Sequence, residues 1–571
     1  MNKGKITEAV IELLAKHPYL WALGLCLFID PFFLGAAENI PNNALWLETF
    51  MTVGAITAFG YYKHRYEGIS TKRVVIFIAL LILADIIAVR LYTQSQSKAM
   101  WHFAGGCSVI VILYYLADIK KYRTQLNALL IMGLGFCLKL YYVLVTSVYT
   151  RQHDVRSFGG DSGHAGYIEY LLFEHKLPDF DIRERWQFCH PPLHHAISAL
   201  WIYVNENIMQ VGHNQARESL QTLTLFYSVC IIISAYKIFR YFGLNGKALY
   251  IPLMIVSFHP AFILFSGSIN NDTLSAALVM GAVVCTLKWY REQSLKNIMK
   301  IALCVGFAMM TKLSAATVAP PIALVFLIVF IKKFKEEWKR LLGQFVCFGI
   351  VCVPLGLWFG VRNYIKWKVP LMYVQKMDKS ELQYIGNMPF LKRITDFSLH
   401  QYASPYEQWA YLDESRAVQN YNEHNPLITI MKNSLFGEFI NENCFHSGSY
   451  VNTVSNIFFW LNVIIAGTAF VSMIVICFKK GAAKLTEKMF LVSFYIMMMA
   501  SFYKTSADYP FTCTMNFRYI TPTVIIGAAY IGLALKAINK ETIGGRYAAK
   551  SLYGEAILFS FSSGIIYLSL C

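Results

Sequence analysis

Long apolar runs separated by short polar connections dominate the 571-residue chain. A bilayer hydrocarbon core of about 30 Å asks for roughly 20 apolar residues per helix, and the runs meet that length repeatedly. They predict spans near 19–37, 44–62, 73–92, 102–117, 126–149, 218–236, 248–266, 270–287, 298–311, 314–331, 341–361, 456–478, 487–503, 518–535 and 553–570. The pattern breaks over 150–217 and 362–455, two long polar segments. The expected fold is an all-α polytopic membrane bundle of about 13–15 transmembrane helices. Four organisational units follow: a four-helix N-terminal bundle over 1–125, a core over 126–361 carrying the loop 150–217, the long loop 362–455, and a C-terminal bundle over 456–571.

Within the first long segment the period changes. "GHAGYIEYLLFEHKLP" places Tyr167, Leu171 and Leu172 at helical spacing. "QFCHPPLHHAISALWIYV" has a Pro-Pro pair suited to a first helical turn, followed by Leu193, Ile197, Leu200 and Trp201 on one face. Both read as amphipathic helices lying along the membrane surface. The stretch "MNKGKITEAVIELLAKHPYL" has no small-residue cleavage site and reads as a short amphipathic cytoplasmic helix leading into the first span.

Composition fits this pattern: 56% of residues are hydrophobic and 15% charged, against about a quarter charged in an average soluble domain. The net charge of +17 changes meaning with its placement. Basic clusters such as "KHRYEGISTKR", "KKYR", "KWYREQSLKNIMK", "KKFKEEWKR" and "KKGAAKLTEK" all fall on one set of connections, whereas the short connections of the other set hold little beyond Lys98, Lys312 and Lys504. By the positive-inside rule the N-terminus and the basic connections are cytoplasmic and 150–217 is extracytoplasmic. The basic excess then faces anionic lipid and gives no support to nucleic-acid binding. The thirteen cysteines show no metal-ligand spacing and read as small buried hydrophobes.

Candidate chemistry concentrates in the first long segment. Six of the chain's 14 histidines lie there (His153, His164, His175, His190, His194 and His195), together with Asp154 and Asp161. An aspartate at the mouth of a span is suited to general-base work, because partial burial raises its pKa while neighbouring arginines lower it. Asp154, as the alternative, pairs with Arg151 or Arg156, and Asp161 caps the helix that follows it. His190 and His194 have a metal-compatible spacing, but Pro191 and Pro192 intervene, so hydrogen bonding is favoured over a metal site. A divalent cation stays open as a cofactor. Lys139 lies mid-span, with Asp85 as its expected partner.

The order of these motifs resembles the GT-C glycosyltransferases, membrane enzymes that use polyprenyl-phosphate sugars, and within them the protein O-mannosyltransferases and lipid A aminoarabinose transferases. The likeness rests on "HDV" after a span, "HPPL" opening an interfacial helix, "FHPAFILFSGSINNDTLSAALV", "FAMMTKLSA" and "MNFRYITP", and covers roughly 126–535. It implies a sugar transferred from a polyprenyl-phosphate donor to an extracytoplasmic acceptor (protein, lipid or envelope glycan), hexosyl or pentosyl, with inversion. It also implies that Asp154 or Asp161 deprotonates the acceptor. Arg518, Lys312 and His190 are the candidates for the donor phosphate, His190 standing where many relatives carry lysine. His153, His164, His194, Asn271 and Asp272 are expected to organise the site. The rival reading is a transporter or flippase of lipid-linked or envelope substrates.

Overall fold

The computed structural model describes residues 12, 15–33, 97–116, 122–371, 373–409, 422–445, 448–538 and 542–570. The expected spans 44–62 and 73–92, residue Asp85 and most of the N-terminal amphipathic helix lie outside the described residues. Helices account for the architecture, and the only strand-like contacts among the described residues are two isolated bridges, Tyr384 with Phe511 and Phe445 with Leu570. Seven described helices are long and apolar enough to cross a membrane, or up to nine when two bent pairs are each taken as one span. The chain is therefore a multi-pass membrane protein.

The helices used below are α1 (Arg123–Val145), α2 (Gly163–Glu174), α3 (Leu193–Tyr203), α4 (Leu220–Tyr241), α5 (Lys247–Phe258), α6 (Pro260–Gly267), α7 (Asp272–Arg291), α8 (Leu295–Thr311), α9 (Ala319–Trp367), α10 (Pro426–Phe436), α11 (Gly448–Phe478), α12 (Leu485–Asp508), α13 (Pro522–Ala537) and α14 (Ile543–Leu568). Two expected spans, 314–331 and 341–361, form one unbroken helical run, α9. Yet the Phe326 ring stacks on Phe345 at 5.1 Å, and Phe330 meets Phe345 at 5.9 Å. In a straight helix residues 19 apart would stand about 28 Å from each other. The run therefore folds back on itself around "KKFKEEWKR", and its two arms pack as two spans. Trp289 at the end of α7 wedges against both arms, touching Phe326 and Phe345 and donating from Nε1 to Gln344 at 2.8 Å.

Two spans are broken, and both breaks border the polar site. Pro260 cannot donate to the helix ladder, so α5 ends at His259, whose side chain accepts from the Ala261 amide as α6 restarts at a 44° bend. Likewise a short helical segment ending at Tyr519 and α13 meet at 51° beside Pro522. These kinks have the identifiable cause that sharp helix bends usually have. One large core joins α4, α5, α7, α8, α9, α12 and α13. A second joins α5, α10, α11 and α14.

A third, smaller core holds the first long segment to the bundle. Val148, Val155, Ala165, Ile168, Leu172, Ala199, Ile202 and Leu220 are its buried members. The two helices are present as expected. In α3, His194 and His195 are buried and Leu200 is 62% exposed, so its imidazoles turn inward and an apolar side chain outward. In α2 the expected apolar face packs into protein instead, with Tyr167, Ile168 and Leu172 buried beside His164, and Phe173 is its exposed apolar side chain. A buried ion pair fastens the loop: Arg217 binds Glu169 from Nε (2.9 Å) and Nη2 (2.6 Å), while Nη1 reaches Glu206. Glu169 also accepts from the Gly159 amide.

Gly163, with φ of +77°, starts α2 directly under the Asp154 turn, and a Cβ there would sit 2.5 Å from the Val155 carbonyl oxygen. Both the left-handed backbone and the contact require glycine. Gly163→Ala is expected to destabilise the protein by about 1–3 kcal/mol and to loosen this turn first. Thermal unfolding in detergent, with proteolysis of the 150–163 segment at lower temperature, measures both.

Candidate active site

The Asp154 turn is made of residues in unusual conformations. Arg151, Asp154 and Arg156 all have φ near +60° without being glycine. Such strain persists only where surroundings over-determine it. Here the His164 and Ala165 amides donate to the Asp154 and Val155 carbonyls, both at 3.0 Å, and Gln152 bridges to Gly267 and Ile269. The result aims the Asp154 carboxylate at Arg518, whose Nη2 donates to it at 3.0 Å. Arg518 lies in the break before α13, where Asn516 accepts from its amide. Its Nε is 3.6 Å from Asp272, and Asp272 is bonded in turn to Lys312. Tyr519 completes the group, bonding Arg518 at 2.9 Å and lying under the Lys312 ammonium, 4.7 Å from ring centre.

Four charges thus alternate in sign: Asp154, Arg518, Asp272, Lys312. They come from the first loop, the α13 break, the start of α7 and the end of α8. Asp272, expected to organise the site, lies one residue past the cap position of α7, which Asn271 occupies, and its carboxylate holds the two cations. Asn271 instead ties the helix start to Thr311 through Nδ2 at 3.1 Å, beside Lys312.

Burial by itself pushes the Asp154 carboxyl up, but Arg518, His153 and Lys312 outweigh it and hold it below the ordinary carboxylate range. Four imidazoles form the next layer. His164 and His195 bond ring to ring at 2.9 Å, His164 stacks on His190 at 5.5 Å, and His194 bonds the Ile269 carbonyl at 2.8 Å. Burial, then the nearby positive groups, push His190 down to about 4; burial likewise puts His194 at about 4. Burial, then His190 and His194, hold His164 well below the ordinary imidazole value, and burial, then His164, His194 and His190, do the same to His195. His190 thus presents a hydrogen-bonding ring without charge to the cavity near neutral pH. No group of three or more His, Cys, Asp or Glu side chains is arranged to hold a metal ion among the described residues.

Asp154, Asp272, Lys312, Arg518, His153 and His190 line one end of a cavity of about 420 Å³. The rest of its lining mixes apolar side chains, including Val279, Leu357, Phe359, Leu371 and Phe502, with polar ones such as Asn363, Gln375, Ser501 and Thr505. Asp161 is exposed, makes no cap to α2 and is absent from this lining, so the structure separates the two aspartates that local sequence left open. His164 reaches the cavity, and His194 sits behind it. Arg362 belongs elsewhere: it bonds the Pro178 carbonyl and lies over Trp367, tying the first loop to the end of α9. Lys139 donates to the Ser257 carbonyl at 2.8 Å.

Glu438 was not foreseen. It follows Gly437 in "LFGEFINEN", with no motif to mark it, and it binds His153 Nδ1 at 2.9 Å on the cavity wall. An isolated acid between apolar residues was the one available signal.

Residues 190–358 match the family of dolichyl-phosphate-mannose-protein mannosyltransferases. The resemblance to GT-C glycosyltransferases read from the motifs thus has independent support over that segment. The matched stretch contains His190, Asp272 and Lys312, whereas Asp154 and Arg518 stand outside it. The crystal structure of ArnT from Cupriavidus metallidurans bound to undecaprenyl phosphate is similar at 11% identity and a TM-score of 0.44, over 76% of this chain and 75% of that one. No curated protein matches the chain in sequence.

Two outcomes test this electrostatic arrangement. Lys312→Met leaves the buried Asp272 short of its nearer cation, and the expected loss of stability is about 3–5 kcal/mol; the double variant with Asp272→Asn recovers part of it in thermal unfolding. The Asp154 pKa is depressed on folding, so its contribution is complete above the unfolded carboxylate value near ~3.9 and is lost as pH falls through the folded value. The difference in unfolding temperature between wild type and Asp154→Asn should therefore be constant near neutrality and shrink in acid below that value.

Proposed function

We infer that this chain is an integral membrane glycosyltransferase that moves a sugar from a polyprenyl-phosphate donor to an extracytoplasmic acceptor by inverting displacement. The observation that carries the reading is the grouping of the Asp154 carboxylate with the cations Arg518 and Lys312 on the lining of a large cavity that also offers apolar side chains such as Val279, Leu357, Phe359 and Phe502. The family match over 190–358 supports transferase chemistry on a lipid-phosphate sugar. The polyprenyl chain occupies the apolar part, and the phosphate lies against Arg518 and Lys312.

The reaction asks for two things. The acceptor hydroxyl must lose its proton as its oxygen attacks the anomeric carbon, and Asp154 takes that proton on the face opposite the leaving group. The phosphate passes from a diester with one negative charge to a departing monoester that carries more. Cations fixed beside it therefore gain interaction as the bond breaks, which is stabilisation of the transition state beyond the ground state. Asp154 and Asp272 balance Arg518 and Lys312. An arriving phosphate competes for Arg518 and releases Asp154 from its ion pair, so the base is unmasked when the donor is in place.

The positive-inside pattern supports an N-terminus in the cytoplasm and a site on the other face. Membranes containing Asp154→Asn are expected to lose at least about 100-fold in consumption of polyprenyl-phosphate mannose, with normal expression, whereas Asp161→Asn keeps near wild-type turnover. Equal loss in the two variants would overturn the assignment of the base. Failure of the wild type to consume any polyprenyl-phosphate sugar would overturn the enzyme reading and favour a transporter.

A further inference from the structure

A second cavity, of about 40 Å³, lies behind the charged end of the first. His153, Glu438, Phe439, Arg518 and Thr521 line both, so these side chains form the partition between them. A water-sized group needs roughly 10–15 Å³ by the same measure. The space is too small for a sugar ring and suits two or three heavy atoms.

The walls are polar in a particular way. Asn270 is 1% exposed; its Oδ1 accepts from the Asp272 amide at 3.0 Å, which fixes the amide and leaves Nδ2 as the group with no partner. A buried donor without an acceptor costs free energy unless a ligand supplies one. On the same lining stands Glu438, an acceptor-only carboxylate held by His153 at 2.9 Å and by Asn516 Nδ2 at 3.5 Å. Thr521 Oγ1, also on this lining, has no hydrogen-bond partner either. A donor such as Asn270 Nδ2 and an acceptor such as Glu438 around a small space are complementary to a hydroxyl, which accepts from the first and donates to the second. Between them Gly437, at φ +61° and ψ −162°, presents backbone with no side chain. The floor is apolar, from Ala261, Leu264 and Phe265, and accommodates a methylene.

We propose that this cavity receives the hydroxymethyl arm of the donor sugar and makes the protein select hexose over pentose, with Asn270 and Glu438 as the residues that read the arm. The inference rests on the donor reading above: a phosphate held by Arg518 puts the sugar one bond away, at the partition. A pentose lacking the arm, or a 6-deoxy sugar, leaves Asn270 Nδ2 unpaired.

The test uses the full-length protein in lipid nanodiscs, with three lipids: polyprenyl-phosphate mannose, its 6-deoxy analogue and bare polyprenyl phosphate. The wild type is expected to bind the mannose lipid up to about tenfold more tightly than the deoxy analogue, the value of one good hydrogen bond. Asn270→Ser retains an acceptor for the Asp272 amide but cannot reach the arm, so the preference falls towards unity while bare polyprenyl phosphate binds as before. Equal binding of the two sugars by the wild type overturns the subsite and leaves the donor reading intact. Loss of bare polyprenyl phosphate in Asn270→Ser assigns Asn270 to the Asp272 turn and also overturns the subsite, as does an effect confined to acceptor KM. No binding of bare polyprenyl phosphate by the wild type overturns the donor reading itself.

Discussion

Buried charge has to be neutralised, and in this protein the neutralisation is shared among segments far apart in sequence. Asp154, Arg518, Asp272 and Lys312 alternate in sign within one pocket, with side-chain exposures of 31, 11, 6 and 14%. Removing any member leaves an uncompensated ion in a low-dielectric setting, which costs far more than the pair contributes to folding. The helix breaks at His259–Pro260 and before Pro522, the strained turn at Asp154 and the short link between α8 and α9 all serve to bring these groups together. Strain and interrupted helices are concentrated where charge must be placed, as expected when local conformation is sacrificed for a site.

Each carboxylate is bonded to a cation, so the four charges cancel within the site. The imidazoles behind it are kept uncharged chiefly by burial, with His190 and His194 at about 4. They add hydrogen bonding without adding positive charge. The helices α2 and α3 supply this layer, with Phe173 and Leu200 exposed on the outside and the histidines facing protein. Glu438 extends the polar wall through His153 and separates the large cavity from the small one.

Much of the fold is legible in the chain because the bilayer imposes length and polarity rules that operate residue by residue. The runs at 126–149, 218–236, 456–478 and 487–503 became helices with little adjustment. The hairpin of α9 shows where such rules stop. Hydrophobic runs and the basic cluster between them mark two spans, but nothing local says that helical hydrogen bonding continues through the turn; Trp289 and the phenylalanines on both arms decide that. The helices α2 and α3 form where their periodicity puts them, but the expected apolar face of α2 packs against protein, because a core of distant segments stands beneath Tyr167 and Leu172.

The sequence by itself determined the membrane class, the order of spans, the concentration of polar chemistry in 150–217 and the resemblance carried by "HPPL" and "FAMMTKLSA". Each depends on composition, periodicity or contiguous motifs. Only the tertiary structure separated Asp154 from Asp161, joined Arg518 to Asp154 across 364 residues, made Asp272 the link between two cations, and brought Glu438 to His153. These decisions depend on distances between segments with no fixed spacing. An aspartate exposed on a loop and one held against a guanidinium look the same in a string of residues, and they differ only in what the folded chain sets beside them.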